Sequence, residues 1–313
     1  MKTDITDMLG IKYPVIMAPM FLVTNAQMVI EALKADITAA IPALNFRSDS
    51  EFRNAISEIK NHSPKPFGVN LIVNKSNYKL KKQLSTCLEM NVGFIITSLG
   101  NPEDVISQCK PMGIKVFCDV INSSQAIKVE KLGADAVIAV NSMAGGHTGI
   151  IPQKKLVSQL LECVKIPVIS AGGISRKDKV EEAINIGAQA VSVGTLFIAS
   201  NEASVNDNYK NALVEYGAED IILTRNISGT PLTVINTPYM QKIGNKKSMY
   251  SNIINRNSWL KKYFRMIFML VGIRSLENAA NQPTYKTVWV AGPSIEDIHE
   301  IKSVKEIVDS LVK

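Results

Sequence analysis

The chain has 313 residues, 46% hydrophobic and 20% charged. That balance excludes disordered and fibrous classes, and the length suits one large barrel-type core with an elaboration. The net charge of +7 draws anionic small molecules, but the basic residues are scattered except between Lys242 and Arg274 and do not alternate with aromatics, which argues against a nucleic-acid partner.

No apolar run approaches the roughly 18 residues of a membrane span, so no transmembrane segment is expected. Met1 to Gly10 carries Asp4 and Asp7 and lacks the apolar core of a signal peptide. Cys87, Cys109, Cys118 and Cys163 form no C-x-x-C pair, so they are expected as reduced thiols in a cytoplasmic protein. With only His62, His147 and His299 to join them, their spacing offers no zinc site, and no metal is expected.

Short runs rich in Val, Ile and Phe recur, each followed by a stretch with helical spacing of apolar positions. In chain order they are Pro14–Met20, Ile37–Pro42, Pro66–Val73, Phe94–Leu99, Lys115–Val120, Ala136–Val140, Pro167–Gly173 and Ala190–Thr195. Several are continuously apolar, as strands covered on both faces are. Asn122, Ser123 and Ser124 offer capping oxygens before a helix over Gln125–Leu132, which Gly133 ends; Ser175 and Gly187 bracket a helix over Arg176–Ile186 in the same way. Asp207–Tyr216 completes the eighth helix. The fold expected is therefore α/β, a (β/α)8 TIM barrel, although an open doubly wound sheet shares the same periodicity.

Beyond the barrel, Ser228-Gly229-Thr230-Pro231 reads as a turn. Trp259–Ile273 reads as a basic amphipathic helix that packs on its own protein or covers a pocket. Ala291–Lys313 reads as a final docked helix. The division expected is a barrel over 1–225, a helical cap or insertion over 226–285, and a helix packing back on the barrel over 286–313.

In a parallel barrel the chemistry gathers at the carboxyl ends of the strands. There the sequence places Ala18-Pro19-Met20, Asn70, Gly145-Gly146-His147, Ala171-Gly172-Gly173 and Gly194-Thr195. Adjacent glycines let a planar ligand approach the backbone, and His147 sets a proton-transferring imidazole beside it. A plain turn with an incidental histidine has the same sequence. The pairs Gly172-Gly173 and Gly194-Thr195, after the seventh and eighth strands, fall where barrels hold a phosphate through backbone N–H groups, with the Thr195 hydroxyl as a further donor. Asn70 can offer a donor and an acceptor to a heterocycle.

Taken together, Pro14–Met20, Pro66–Asn70, Ala144–Gly149, Pro167–Ile174 and Val193–Phe197 resemble the nitronate monooxygenase family, formerly the 2-nitropropane dioxygenases, and the related enoyl-acyl-carrier-protein reductase II enzymes. The resemblance runs in order over roughly residues 10 to 240, with a weaker echo in Trp289–Gly292. It implies an FMN-dependent oxidoreductase. Ala18, Pro19 and Met20 would border the isoalloxazine, Asn70 would bond it, and Gly145 and Gly146 would pass close to it. Gly173 with Ser192, Val193, Gly194 and Thr195 would hold the phosphate, Ala171 and Gly172 belong to the same cofactor-binding set, and His147 takes the position of the family's catalytic histidine. The family's glutamine or glutamate is Val140 here, and its glutamate is Met143; Asn141 and Ser142 are the polar neighbours that could substitute toward the flavin.

Three functions fit. The first is oxidation of alkyl nitronates with O2 to a carbonyl compound and nitrite. The second is NAD(P)H-dependent reduction of an enoyl thioester, or of a quinone, on the same framework; the basic 242–274 stretch suits an acidic carrier protein. The third, suggested by Val140 and Met143, is a non-catalytic flavin-binding protein. The ligand expected is a small molecule, nitronate or enoyl thioester, and assembly as a homodimer is left open.

Overall fold

The computed structural model describes residues 2–225, 227, 231–244 and 288–313. Trp259–Ile273 and Ser228, Gly229 and Thr230 of the expected turn lie outside the described residues.

Eight parallel strands close into a barrel: β1 (Val15–Met17), β2 (Thr38–Pro42), β3 (Gly68–Ile72), β4 (Phe94–Ser98), β5 (Lys115–Val120), β6 (Ala136–Val140), β8 (Val168–Ala171) and β9 (Ala190–Val193), with β9 pairing back to β1. Each falls within one of the apolar runs of the sequence. Between them lie helices, among them α2 (Ala26–Lys34), α6 (Ser123–Leu132), α7 (Gln153–Cys163) and α8 (Lys177–Ile186). None of the helices searched is long and apolar enough to cross a membrane.

Strand alternation divides the core in two. Val15, Met17, Val69, Ile95, Val116, Val137 and Val191 face the helical shell, whereas Ile16, Ala40, Phe94, Ile96, Phe117, Ile138, Ile169 and Ala190 fill the barrel. Helix α1 (Asp4–Leu9), held by a Thr3–Thr6 capping box, adds Ile5 and Leu9 to this inner cluster. The inner packing explains one glycine. A Cβ on Gly68 would overlap the ring of Phe94, which stacks on Phe117 with centroids 5.0 Å apart. We expect Gly68→Ala to destabilise the fold by about 1–3 kcal/mol, the usual range for overpacking; chemical denaturation measures it.

Helix α6 is capped as its sequence suggests: the Asn122 side chain accepts from Gln125 N–H, and Gly133 closes the helix at φ 97°. The start of α8 differs from expectation. Arg176 occupies the N-cap without a side-chain cap bond, because the Ser175 hydroxyl instead donates to Asp297, which also pairs with Arg176 at 2.6 Å. The final segment differs too. Pro293–Asp297 forms a 3-10 turn, and a helix, α12, begins only at Val304 and runs to Val312, started by a Ser303–Glu306 capping box. The connection after β9 is split between a short helix, α9 (Thr195–Ile198), and α10 (Asp207–Glu215).

Beside the barrel lies a second, antiparallel sheet of β10 (Ile221–Thr224), β11 (Leu232–Ile235) and β7 (Gly146–His147), with Leu232 opposite His147 and Thr233 opposite Gly146. It was not expected from the sequence, and it fixes the segment of greatest chemical interest.

Candidate active site

The inward positions one step beyond the apolar layer are Ala18, Pro42, Asn70, Ser98, Asp119, Val140, Ala171 and Ser192, two residues after Ile16, Ala40, Gly68, Ile96, Phe117, Ile138, Ile169 and Ala190. They ring the carboxyl end of the barrel, where the sequence places the chemistry. Four of the expected residues, Ala18, Asn70, Ala171 and Ser192, belong to this ring. Val193 does not: its side chain is buried in the outer core, and only its carbonyl reaches the rim, accepting from Ala18 N–H at 2.8 Å.

The glycine loops converge above the ring. Gly172 and Gly173 have φ of 109° and 78°. A Cβ on Gly172 would lie 2.5 Å from Ala144 N and 2.6 Å from Asn141 Oδ1, so the loop after β8 presses against the loop after β6. A Cβ on Gly145 would lie 2.8 Å from Thr195 Oγ1 and 2.9 Å from Gly292 N. Thr195 Oγ1 accepts from Gly292 N–H at 3.0 Å, which still leaves its own proton to donate. Gly292, only a faint echo in the sequence, is thus part of the rim. Gly194 is different: its φ is −114°, and a Cβ there would come no closer than 3.6 Å to Ala18 or Met20. The fold itself leaves room for a side chain at Gly194. Helix α9 opens on this residue without a side-chain cap, so its leading N–H groups lack a capping oxygen.

His147 stands at the end of β7, exposed. Its strand is pinned: the Thr233 hydroxyl donates to Ala144 O at 2.8 Å, and Gly146 has φ 81° with Val290 3.4 Å from where its Cβ would be. Loss of hydration holds the imidazole pKa below its ordinary 6.5 even though part of the ring is exposed, since an apolar setting disfavours the cation. The ring is therefore largely neutral at pH 7.

Asn141 does not stand in for the glutamine or glutamate absent at Val140. It is fully buried, donates to Gly172 O at 2.9 Å and accepts from Met143 N–H at 2.7 Å. Its carbonyl accepts from the Thr148 hydroxyl at 2.7 Å. It is the clasp that joins the two glycine loops, and turning it to a ligand would orphan buried groups. Met143 is 41% exposed beside Gly173.

Sequence reasoning missed Ser98 and Asp119. Asn70, 6% exposed, donates through Nδ2 to Ile96 O at 3.1 Å and to Ser98 Oγ at 2.8 Å. Ser98 donates in turn to Asp119 Oδ2 at 2.5 Å. With both amide protons of Asn70 engaged, its carbonyl oxygen is the group it can offer a ligand. The missed signal was parity: Asp119 lies two residues after Phe117 and so shares its inward face.

The family model described as nitronate monooxygenase matches residues 76–313. Among solved structures, FabK from Thermotoga maritima is 32% identical with a TM-score of 0.88, covering 99% of this chain and 95% of that one. A (3aS,4S,5R,7aS)-5-hydroxy-7a-methyl-1-oxo-octahydro-1H-indene-4-carboxyl-CoA dehydrogenase from Rhodococcus jostii is 28% identical over 249 residues, 80% of this chain and 70% of its own length. A probable nitronate monooxygenase from Staphylococcus saprophyticus is 27% identical over 288 residues, 78% of this chain and 81% of its own.

Proposed function

This chain belongs to the nitronate monooxygenase family of oxidoreductases, and from that premise we propose that it binds FMN at the barrel mouth and oxidises alkyl nitronates with O2 to a carbonyl compound and nitrite. The observation that carries the reading is the placement of a largely neutral imidazole, His147, on a pinned strand beside bare glycine backbone.

The residues present fit such a cofactor. Gly194 is glycine although the fold would accept a side chain there, and bare backbone beside uncapped N–H groups suits a phosphate. Ala18, Pro19, Met20, Asn70, Gly145, Gly146 and Ala171 would border the ring system, and Gly172, Gly173 and Ser192 to Thr195 the phosphate end. Bound FMN would supply the electron acceptor.

The protein's part is to place and deprotonate the substrate. A neutral His147 can take the proton from the carbon beside a nitro group, and the resulting imidazolium then faces an anion. A nitronate that arrives already ionised needs only the hydrogen bond. The Thr233 and Asn141 clasps hold the imidazole's strand in one geometry, which a positioned base requires.

A second reading, NAD(P)H-dependent reduction of an enoyl thioester, is favoured by a relative whose name specifies a carboxyl-CoA substrate. Anaerobic titration of the FMN-loaded protein separates the two. We expect a nitronate to bleach the flavin absorbance and NADH or NADPH not to. Bleaching by NAD(P)H with reoxidation by an enoyl thioester moves the assignment to the second reading. Bleaching by neither leaves a non-catalytic binder, and failure to take up FMN removes all three.

A further inference from the structure

Three of the eight ring positions at the barrel mouth, Asn70, Ser98 and Asp119, are polar groups on adjacent strands β3, β4 and β5 and form one hydrogen-bonded line. Asp119 is the ionisable member of that ring. Below it lie Ile96 and Phe117, and opposite it on β6 stands Ile138, two residues before Val140. Among the described residues no charge balances it: burial and the Ser98 hydrogen bond are the influences on Asp119, and Cys118, on the outer face of β5, has its thiol pushed up to about 12 by burial and accepts from the Thr97 hydroxyl. Burial raises the Asp119 pKa to about 6, opposed by the Ser98 hydrogen bond.

The line has a direction. Ser98 has one proton, which it gives to Asp119, and it accepts from Asn70. That arrangement requires an oxygen of Asp119 to act as acceptor, and it leaves the Asn70 carbonyl as the free face of the amide. Protonation of Asp119 leaves it one carbonyl oxygen as acceptor and removes the charge that strengthens the Ser98 hydrogen bond, which loosens the anchor on Asn70.

We infer that Asp119 is a positioning residue which, through Ser98, holds the Asn70 amide with its carbonyl oxygen offered to an N–H of the bound heterocycle, making the mouth's affinity for that ring depend on the charge at residue 119. The inference rests on the FMN reading above, and its sign follows from the direction of the line. The ionised carboxylate, present above about pH 6, strengthens binding; its loss as pH falls weakens it. Among the described residues, the other titratable group placed at this end of the barrel is His147, whose pKa burial also holds below 6.5.

The test is the dissociation constant of FMN, read by flavin fluorescence between pH 5 and 7. It compares the wild-type protein with Asp119→Asn and Ser98→Ala, each also in a His147→Ala background. An asparagine at 119 accepts from Ser98 at every pH. Relative to Asp119→Asn, wild-type affinity should fall about tenfold from pH 7 to pH 5, the size of one hydrogen bond, in both backgrounds. Ser98→Ala should abolish that relative change. Any step common to all variants belongs to the ligand's own phosphate and cancels in the ratio. A flat ratio, a step that vanishes with His147, or a step that survives in Ser98→Ala overturns the inference while leaving FMN binding intact. Absence of FMN binding at every pH instead sinks the functional reading on which it rests.

Discussion

His147→Ala should retain FMN and lose turnover with a neutral nitroalkane at least tenfold, and by about 10² where proton abstraction limits the rate. The flavin spectrum should persist because the contacts assigned to cofactor binding come from backbone glycines and from Asn70, not from the imidazole. The pH profile carries the second half of the prediction. Burial favours the neutral ring, so the native site binds its proton more weakly than free histidine does, and the base form persists to lower pH. The acid limb of kcat should therefore fall below pH 6.5 and disappear in the alanine variant. With a preformed nitronate, which needs no deprotonation, the loss should be smaller. Equal turnover of wild type and variant on the nitroalkane removes His147 from the chemistry.

Gly172→Ala and Gly194→Ala should fail in opposite ways. At Gly172 a methyl meets Ala144 N at 2.5 Å and Asn141 Oδ1 at 2.6 Å, at a φ of 109°. Backbone strain of roughly 1–3 kcal/mol and overpacking of similar size add, so the variant should lose about 3 kcal/mol of stability and its FMN with it. At Gly194 the methyl finds ordinary contacts at 3.6 Å and an unstrained φ. Unfolding should then change by no more than about 0.5 kcal/mol, while FMN affinity should fall at least tenfold as the methyl enters the space assigned to the phosphate. Paired denaturation and fluorescence titrations check both. A Gly194→Ala protein that binds FMN as tightly as wild type places the phosphate elsewhere.

The barrel was legible because burial on both faces writes each strand as an unbroken apolar run, and the helices between them carry their own punctuation, as at Asn122 and Gly133. The ends of those runs also pointed to Ala18, Asn70 and the paired glycines, since topology alone puts function there. The small sheet was not legible. β7 has two residues, and its pairing with Leu232 and Thr233 is a long-range contact that no local pattern announces. Ser175 illustrates a related blindness: its position is right for a cap, but a carboxylate 122 residues away takes its hydroxyl. Asp119 was legible in principle, through alternation from Phe117, yet in a continuously apolar run nothing marks which face is inside. Asn141 looked like a spare polar group until its role as a clasp was visible in three dimensions.

Thr195 and Gly292 meet across 97 positions of sequence, against the backbone of Gly145. A ribosome delivers the amino-terminal strands first, so all eight staves of the barrel exist before Gly292 does. The rim is thus finished only after Gly292 has followed the barrel strands out of the ribosome. A nascent chain can curl into a cylinder before it can close this side of the mouth, because Thr195 and Gly145 gain their neighbour only when Gly292 arrives.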